Sequence, residues 1–357
     1  MLINGPDRKK KEVDIDNSLL SFLLILLAIL LALVLATVAY YVVVKTTSPQ
    51  YADAPQADDK NDNGTKENNF PFKQEDITVD IVTAKDNPDS VKIEGISSEY
   101  AALIDLTDGK VIASQKSSSM IYPASMTKVM TLIVVCENLP NEDALNELLE
   151  IKHPRGEHYG YGFEIGEKVT VEDLMYAAIL QSDGVACLTL ADYIAGNEAN
   201  FVKLMNEKVK EIGLLEGDPE KNPSTNFTNC TGLHDQYHYS TPYDIGVIMA
   251  YAMKNDLCAK IITSYSHNFS KNFRPDLNPI LWHMLLHDPK YFGGKLNYDT
   301  VTISGGKTGW TGTDSGYCVV SYAYGKNGKE YILVTAKAKE RTQSINDQIY
   351  IYNTYAN

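Results

Sequence analysis

Residues 19 to 44, LLSFLLILLAILLALVLATVAYYVVV, run for 26 positions without one charged side chain. Coiled into a helix at about 1.5 Å per residue, the run reaches roughly 39 Å, enough to cross a hydrocarbon layer of about 30 Å with room for tilt. A cleaved signal peptide is the competing reading, but its apolar core extends only about 7 to 15 residues. Here the run continues through Tyr40 to Val44. Arg8, Lys9, Lys10 and Lys11 precede it and only Lys45 follows closely, so the positive-inside bias leaves the N-terminus in the cytoplasm. The expectation is a single-pass protein of the cell membrane. Residues 1–18 form a cytoplasmic tail, residues 19–44 a transmembrane anchor, and everything after them lies outside the cell.

Residues 45–77 are rich in Asp, Asn, Lys, Pro and Gln, with little apolar to bury. That is the composition of a flexible polar linker, which sets how far the following domain reaches. From 78 to 357 the pattern is globular and reads as one extracellular domain. The formal net charge of -14 excludes a nucleic-acid partner, because phosphate binding needs clustered Lys and Arg. Cys136, Cys187, Cys230, Cys258 and Cys318 are odd in number and form no CxxC pair. They read as small buried residues, without a zinc site, a dithiol site or a disulfide framework.

Two apolar stretches, Tyr100 to Leu106 and Lys110 to Ser114, flank Thr107, Asp108 and Gly109 and predict a β-hairpin with an Asp-Gly turn. Helical spacing follows over about 124–138, twice within Thr170 to Ile194, and near 198–212 and 242–254. VTISGG, YCVVSYAYG and YILVTAKA return to strand character between 301 and 338, and Ser344 to Tyr355 closes as a helix. Strands and helices segregated in this way predict an α+β fold, an antiparallel sheet flanked by helices, and not alternating βαβ units.

In IYPASMTKVMT, Pro123 just inside a helix start places Ser125 in the first turn, with Lys128 one turn on. The amine then lies beside the hydroxyl, where a desolvated, neutral lysine can take the proton and expose a nucleophile. Taken singly, such a spacing is expected about once by chance in a chain of this length. It gains weight from Ser182, followed by Asp183 and Gly184 between two helical patterns, and from Lys307, Thr308 and Gly309 at the end of an apolar strand.

In order and spacing the three motifs resemble SxxK, SDN and KTG, the signature of class A β-lactamases and penicillin-binding proteins. Residues from about 98 to 350 resemble the D-alanyl-D-alanine carboxypeptidases, the low-molecular-mass penicillin-binding proteins. LIDLTDGKVIASQ, YPASMTKVMT, GEKVTVEDLMYAAIL, NFTNCTGLHDQYHYSTPYD and GGKTGWTGTDSGYCVV carry that likeness in the family's order. The resemblance implies a β-lactamase/transpeptidase-like fold with a helical subdomain, and no metal or cofactor. It implies acylation of Ser125 by the penultimate D-alanine of a peptidoglycan pentapeptide, release of terminal D-alanine, and hydrolysis by water. β-Lactams acylate the same serine covalently. Lys128 and Ser182 would move protons; Lys307, Thr308 and Gly309 would bind the substrate carboxylate and backbone; Trp310 would give an oxyanion-hole amide; Arg341 would face the carboxylate. Members of the family often carry a C-terminal β-rich domain and an amphipathic anchor, which the N-terminal span is expected to replace.

One departure stands out: the family's second motif ends in Asn, which touches the substrate and the catalytic lysine, whereas position 184 is Gly. Either the loop brings Asp183 or another group into that role, or the enzyme acts slowly or on a different peptide. A penicillin or cell-wall-peptide sensor of the same fold is therefore the rival reading. A β-lactamase is the other, but Glu142 to Asn146, which spell ExxLN, precede the second motif instead of following it. His234 to His238 mimic HExxH with Asp for Glu, yet Gly232 precedes them and no helical pattern surrounds them. The acceptor sequons at Asn63, Asn226 and Asn268 matter only in a eukaryotic cell, and the 23 tyrosines do not by themselves separate a binding groove from packing.

Overall fold

The computed structural model describes residues 79–156, 158–214, 224–269, 280–292 and 295–357. The tail, anchor and linker expected over 1–77, with Asn63, lie outside them. Among the described residues no helix is long and apolar enough to cross a membrane.

Val91–Lys92 (β1), Tyr100–Asp105 (β2) and Lys110–Gln115 (β3) open the domain. Lys128–Asn138 (α1) follows, then the strand pair Leu148–Glu150 (β4) and Lys168–Thr170 (β5). Next come Val171–Leu180 (α2), Gly184–Ala195 (α3), Glu198–Glu211 (α4), Pro242–Met253 (α5) and Asp256–Thr263 (α6). A second small pair, Ser266–Asn268 (β6) and Ile280–Trp282 (β7), precedes the single turn Met284–His287 (α7). Val301–Gly309 (β8), Tyr317–Gly325 (β9), Glu330–Ala338 (β10) and Arg341–Tyr355 (α8) close the chain.

The expected hairpin forms β2 and β3, with Gly109 at φ +63° in its turn. Lys329 reaches Asp105 and Asp108 there, each at 2.7 Å. The six-stranded sheet runs β1-β3-β2-β10-β9-β8, so the first hairpin and the last three strands meet at β2–β10. Its pairings are antiparallel except at β1, which lies parallel to β3 and corrects the expectation of a wholly antiparallel sheet. A two-residue strand is too short to write a period of two into the sequence; the same holds for the three-residue strands β4 to β7.

Along β10, Ile332, Val334 and Ala336 enter one core while Tyr331 and Leu333 enter the other. That alternation within a continuous apolar run marks a strand buried on both faces. α5 covers the first face, where Gly246 gives Ile104 and Val334 the room a side chain would take. α8 covers the second, where Ser321 Oγ donates to Gln348 Oε1 and the Gln348 amide donates to Thr335 Oγ1 at 2.9 Å. α8 begins at Arg341, three residues before the expected Ser344. α1 is buried from Lys128 to Cys136 and packs against α2, α3, α5 and α6, as its nearly all-apolar sequence requires.

Helix starts are written in side chains. Thr170, Asp183, Asn197, Thr241 and Asn255 each accept the amide three residues on. A long-range clamp fixes α8: Asp347 accepts the Ser97 amide at 3.0 Å, the Ser98 amide at 2.6 Å and the Ser98 hydroxyl at 2.7 Å. Asp347→Ala leaves the two buried Ser98 donors and the part-buried Ser97 amide unmet, so it should lower unfolding stability by about 2 to 4 kcal/mol. Urea unfolding checks this, and a loss below about 0.5 kcal/mol contradicts the clamp.

Candidate active site

The helix expected over 124–138 is broken in two. Ala124–Thr127 form a 3-10 turn and the α-helix starts at Lys128. The turn opens on Ala124, whose φ of +49° is costly for a residue with a Cβ. The surroundings hold it there: Gly309 of β8 lies so close that a Cβ on it would come within 2.9 Å of Pro123 O and 3.1 Å of Ser125 N. Thr127 Oγ1 meets His238 Nε2 at 2.7 Å, and His238 Nδ1 accepts the Thr228 amide at 3.1 Å. Burial lowers the His238 pKa to about 3, so the ring is neutral, with its proton on Nε2 facing the threonine.

This turn presents half-buried Ser125 above buried Lys128. Lys128 Nζ donates to Ser125 Oγ at 3.0 Å and also to Thr231 O. Burial, the largest cause, pulls the Lys128 pKa below the ordinary lysine value. A neutral amine can reverse the contact, the hydroxyl then donating to Nζ, which is the geometry of an activated serine.

Opposite stands β8, an edge strand of the six-stranded sheet. Lys307 Nζ donates to Ser182 Oγ and to Thr308 O, both at 2.9 Å. Burial first, and then the neighbouring Lys128, pull its pKa further down. Ser182 is itself left-handed at φ +57°, a strained conformation that aims its hydroxyl at the lysine. Two Ser–Lys pairs, supplied by the turn before α1, the loop before α3 and the edge strand, thus come together.

Asp183 does not replace the missing asparagine side chain. Its Oδ1 caps α3 through the Ala186 amide at 2.8 Å, and its Oδ2 accepts the Tyr161 amide at 2.7 Å. Burial raises its pKa against these bonds. The space beside Gly184 is instead filled by His158: a Cβ at Gly184 would lie 2.6 Å from its Nδ1 and 2.8 Å from its own Cβ. The Gly184 amide donates to Tyr159 O at 3.1 Å, which pins the loop to the second motif.

Trp310 follows Gly309 with 57% of its surface exposed, stacked on Tyr317 at 6.0 Å between ring centres. Arg341 is the first residue of α8, and its guanidinium lies 5.1 Å from the Tyr291 ring and 5.8 Å from Tyr317. Burial raises the Tyr291 pKa, opposed by Arg341 and by a hydrogen bond with Thr308. Arg341 therefore reaches the third motif through Tyr291, a residue that no motif announces. His158 and His238 were equally hidden. His234, the other end of the zinc-like stretch, faces Asp314 at 3.8 Å and Tyr122 edge-on, outside any helix.

The structure superposes on that of penicillin binding protein 5 from Haemophilus influenzae with a TM-score of 0.60 at 25% identity, covering 74% of this chain and 72% of that one. A mutant form of Streptomyces K15 DD-transpeptidase shares the fold with a TM-score of 0.61 at 21% identity, over 73% and 98%. Residues 84–340 match the family described as D-alanyl-D-alanine carboxypeptidase. The chain belongs to that family. Its similar relatives include D-alanyl-D-alanine carboxypeptidase DacF of Bacillus subtilis, 30% identical over 253 residues, 69% of this chain and 59% of the relative. DacA of Haemophilus influenzae, of the same description, is 31% identical over 264 residues, 71% and 60%. The chain thus spans about three-fifths of the length of these two curated relatives.

Within this carboxypeptidase-family site, Gly184 and His158 should be energetically coupled. Gly184→Ala forces the imidazole and its loop aside and should cost about 1 to 3 kcal/mol. Adding His158→Gly should recover at least half of the loss in a double-mutant cycle; additive losses contradict the contact.

Proposed function

We propose that the chain is a serine-type D-alanyl-D-alanine carboxypeptidase, acting on peptidoglycan stem pentapeptides through an acyl-enzyme on Ser125. The observation that carries this reading is the 3.0 Å Ser125–Lys128 contact beside the 2.9 Å Ser182–Lys307 contact, with both lysines depressed by burial.

Lys128 accepts the Ser125 proton as Oγ attacks the carbonyl of the penultimate D-alanine. The amides of Ser125 and Trp310 take the developing oxyanion, a role supported by the packing of Gly309 on the Ser125 amide. Thr308 binds the terminal carboxylate with Lys307. That carboxylate brings the lysine pair a negative charge, which favours a proton on Lys307 while Lys128 stays a base. Ser182 passes a proton from the lysines to the departing amine, the C–N bond breaks, and D-alanine leaves. Water activated by Lys128 then cleaves the ester. Arg341, acting through Tyr291, adds positive potential at the carboxylate end. A β-lactam acylates Ser125 by the same first step. Residues 19–44 anchor the enzyme in the cell membrane with the catalytic domain outside, where its substrate is.

Release of free D-alanine from a pentapeptide ending in D-Ala-D-Ala tests the reaction. Wild type should release it, and Ser125→Ala and Lys128→Ala should each lose at least about 10³-fold. A folded wild type that forms a penicillin adduct but releases no D-alanine would establish the sensor reading instead.

The pH dependence has a definite sign. Lys128 acts as a base only when neutral, so acylation should accelerate as pH rises through its pKa. Because burial lowers that pKa, the rate of penicillin acylation should level off below the ordinary lysine value of about 10.4. A rate still climbing tenfold per pH unit near that value contradicts a depressed Lys128.

A further inference from the structure

We propose that Cys136 and Cys258 form a disulfide that staples the helix following the Ser125 turn to the helix beneath the Lys307 strand. All five cysteines are buried thiols in the structure. Three of them face oxygen: Cys187 Sγ donates to Asp183 O at 3.2 Å, Cys230 Sγ to Glu198 Oε1 at 3.3 Å, and Cys318 Sγ to Ser315 O at 3.2 Å. Cys258 Sγ instead donates to Cys136 Sγ at 3.2 Å, across 122 positions of sequence. A disulfide bond is about 2.05 Å long, so closure asks for roughly 1.1 Å of sulfur movement shared between two side chains.

The position of the pair gives the bond its leverage. Cys136 lies two turns beyond Lys128 on α1. Cys258 lies one turn before Ile262 on α6, and Ile262 O supports β8 so closely that a Cβ on Gly305 would come within 2.6 Å of it. Gly305 is two residues from Lys307. A covalent link between α1 and α6 therefore joins the supports of the two lysines.

The step needs an oxidant, and a small-molecule disulfide suffices. One cysteine thiolate attacks that disulfide, expelling a thiolate and forming a mixed disulfide. The second cysteine thiolate then displaces the remaining oxidant thiol. In sum, two protein thiols and one oxidant disulfide give one protein disulfide and two small-molecule thiols. Both cysteines are at 0% exposure in the folded domain, so exchange belongs to the folding chain before the core closes. Burial also raises the Cys258 pKa well above the usual thiol value, which suppresses exchange afterwards and shields a finished bond from reductants.

The test uses the full chain refolded with glutathione disulfide, unfolded in denaturant and alkylated without reductant. Three alkylated cysteines per chain are expected, and five after reduction, with peptides containing Cys136 and Cys258 joined in the unreduced digest. Reduction in denaturant, followed by refolding and melting with the reductant present, should lower the Tm by about 10 °C in wild type and leave Cys136→Ala unchanged. Five alkylated cysteines without reduction, or a link between any other pair, overturns the proposal. A Tm indifferent to reduction of an established link overturns the staple.

Discussion

Two lysine amines buried together with neutral partners are the constraint on which this domain depends. Lys128 contacts Ser125 Oγ and Thr231 O, and Lys307 contacts Ser182 Oγ and Thr308 O. None of these four oxygens is a carboxylate, so removal from water is not balanced by an ion pair, and the least costly response is loss of a proton. The fold around them keeps that arrangement from relaxing. Gly309 presses on the strained Ala124 turn, His238 holds Thr127, and α6 supports β8 at Gly305. Burial thereby pushes both amines towards the neutral form, which in water they would not adopt.

Close packing governs the second motif and its facing loop in the same way. Asp183 has its carboxylate bonded to backbone amides of α3 and of the 158–163 loop, which draws that loop over the motif. Gly184 then has to be glycine, because His158 occupies the room beside its Cα. The Asp183 clasp and the family departure at Gly184 are complementary halves of one contact. They account for the missing asparagine side chain without leaving a hole.

Much of this was legible in the sequence, and the reasons are physical. The Asp-Gly hairpin, the buried α1 and the continuous apolar strand β10 each carry a period or turn signal strong enough to survive without context. Ser125, Lys128, Ser182 and Lys307 were legible because their order along the chain is a pattern, although no local rule places Ser182 beside Lys307, 125 positions away. What stayed hidden was short or tertiary. β1, β4 and β6 have too few residues to show periodicity, and the left-handed Ala124 that opens the turn is held by packing from Gly232 and Gly309. His158, Tyr291 and His238 acquire their roles only from what folds against them. The zinc-like spelling around His238 even pointed away from its use, which is to hold the turn that carries Ser125.

The most direct test of the central claim is an NMR titration of the Lys128 side chain, with its Nζ and Cε resonances assigned by comparison with Lys128→Arg. A Lys128 amine depressed by burial should titrate with a midpoint clearly below the ordinary lysine value of about 10.4, and be neutral above that midpoint. A midpoint at or above the ordinary value would mean that the buried amine keeps its proton. Lys128 could then not be the base that activates Ser125.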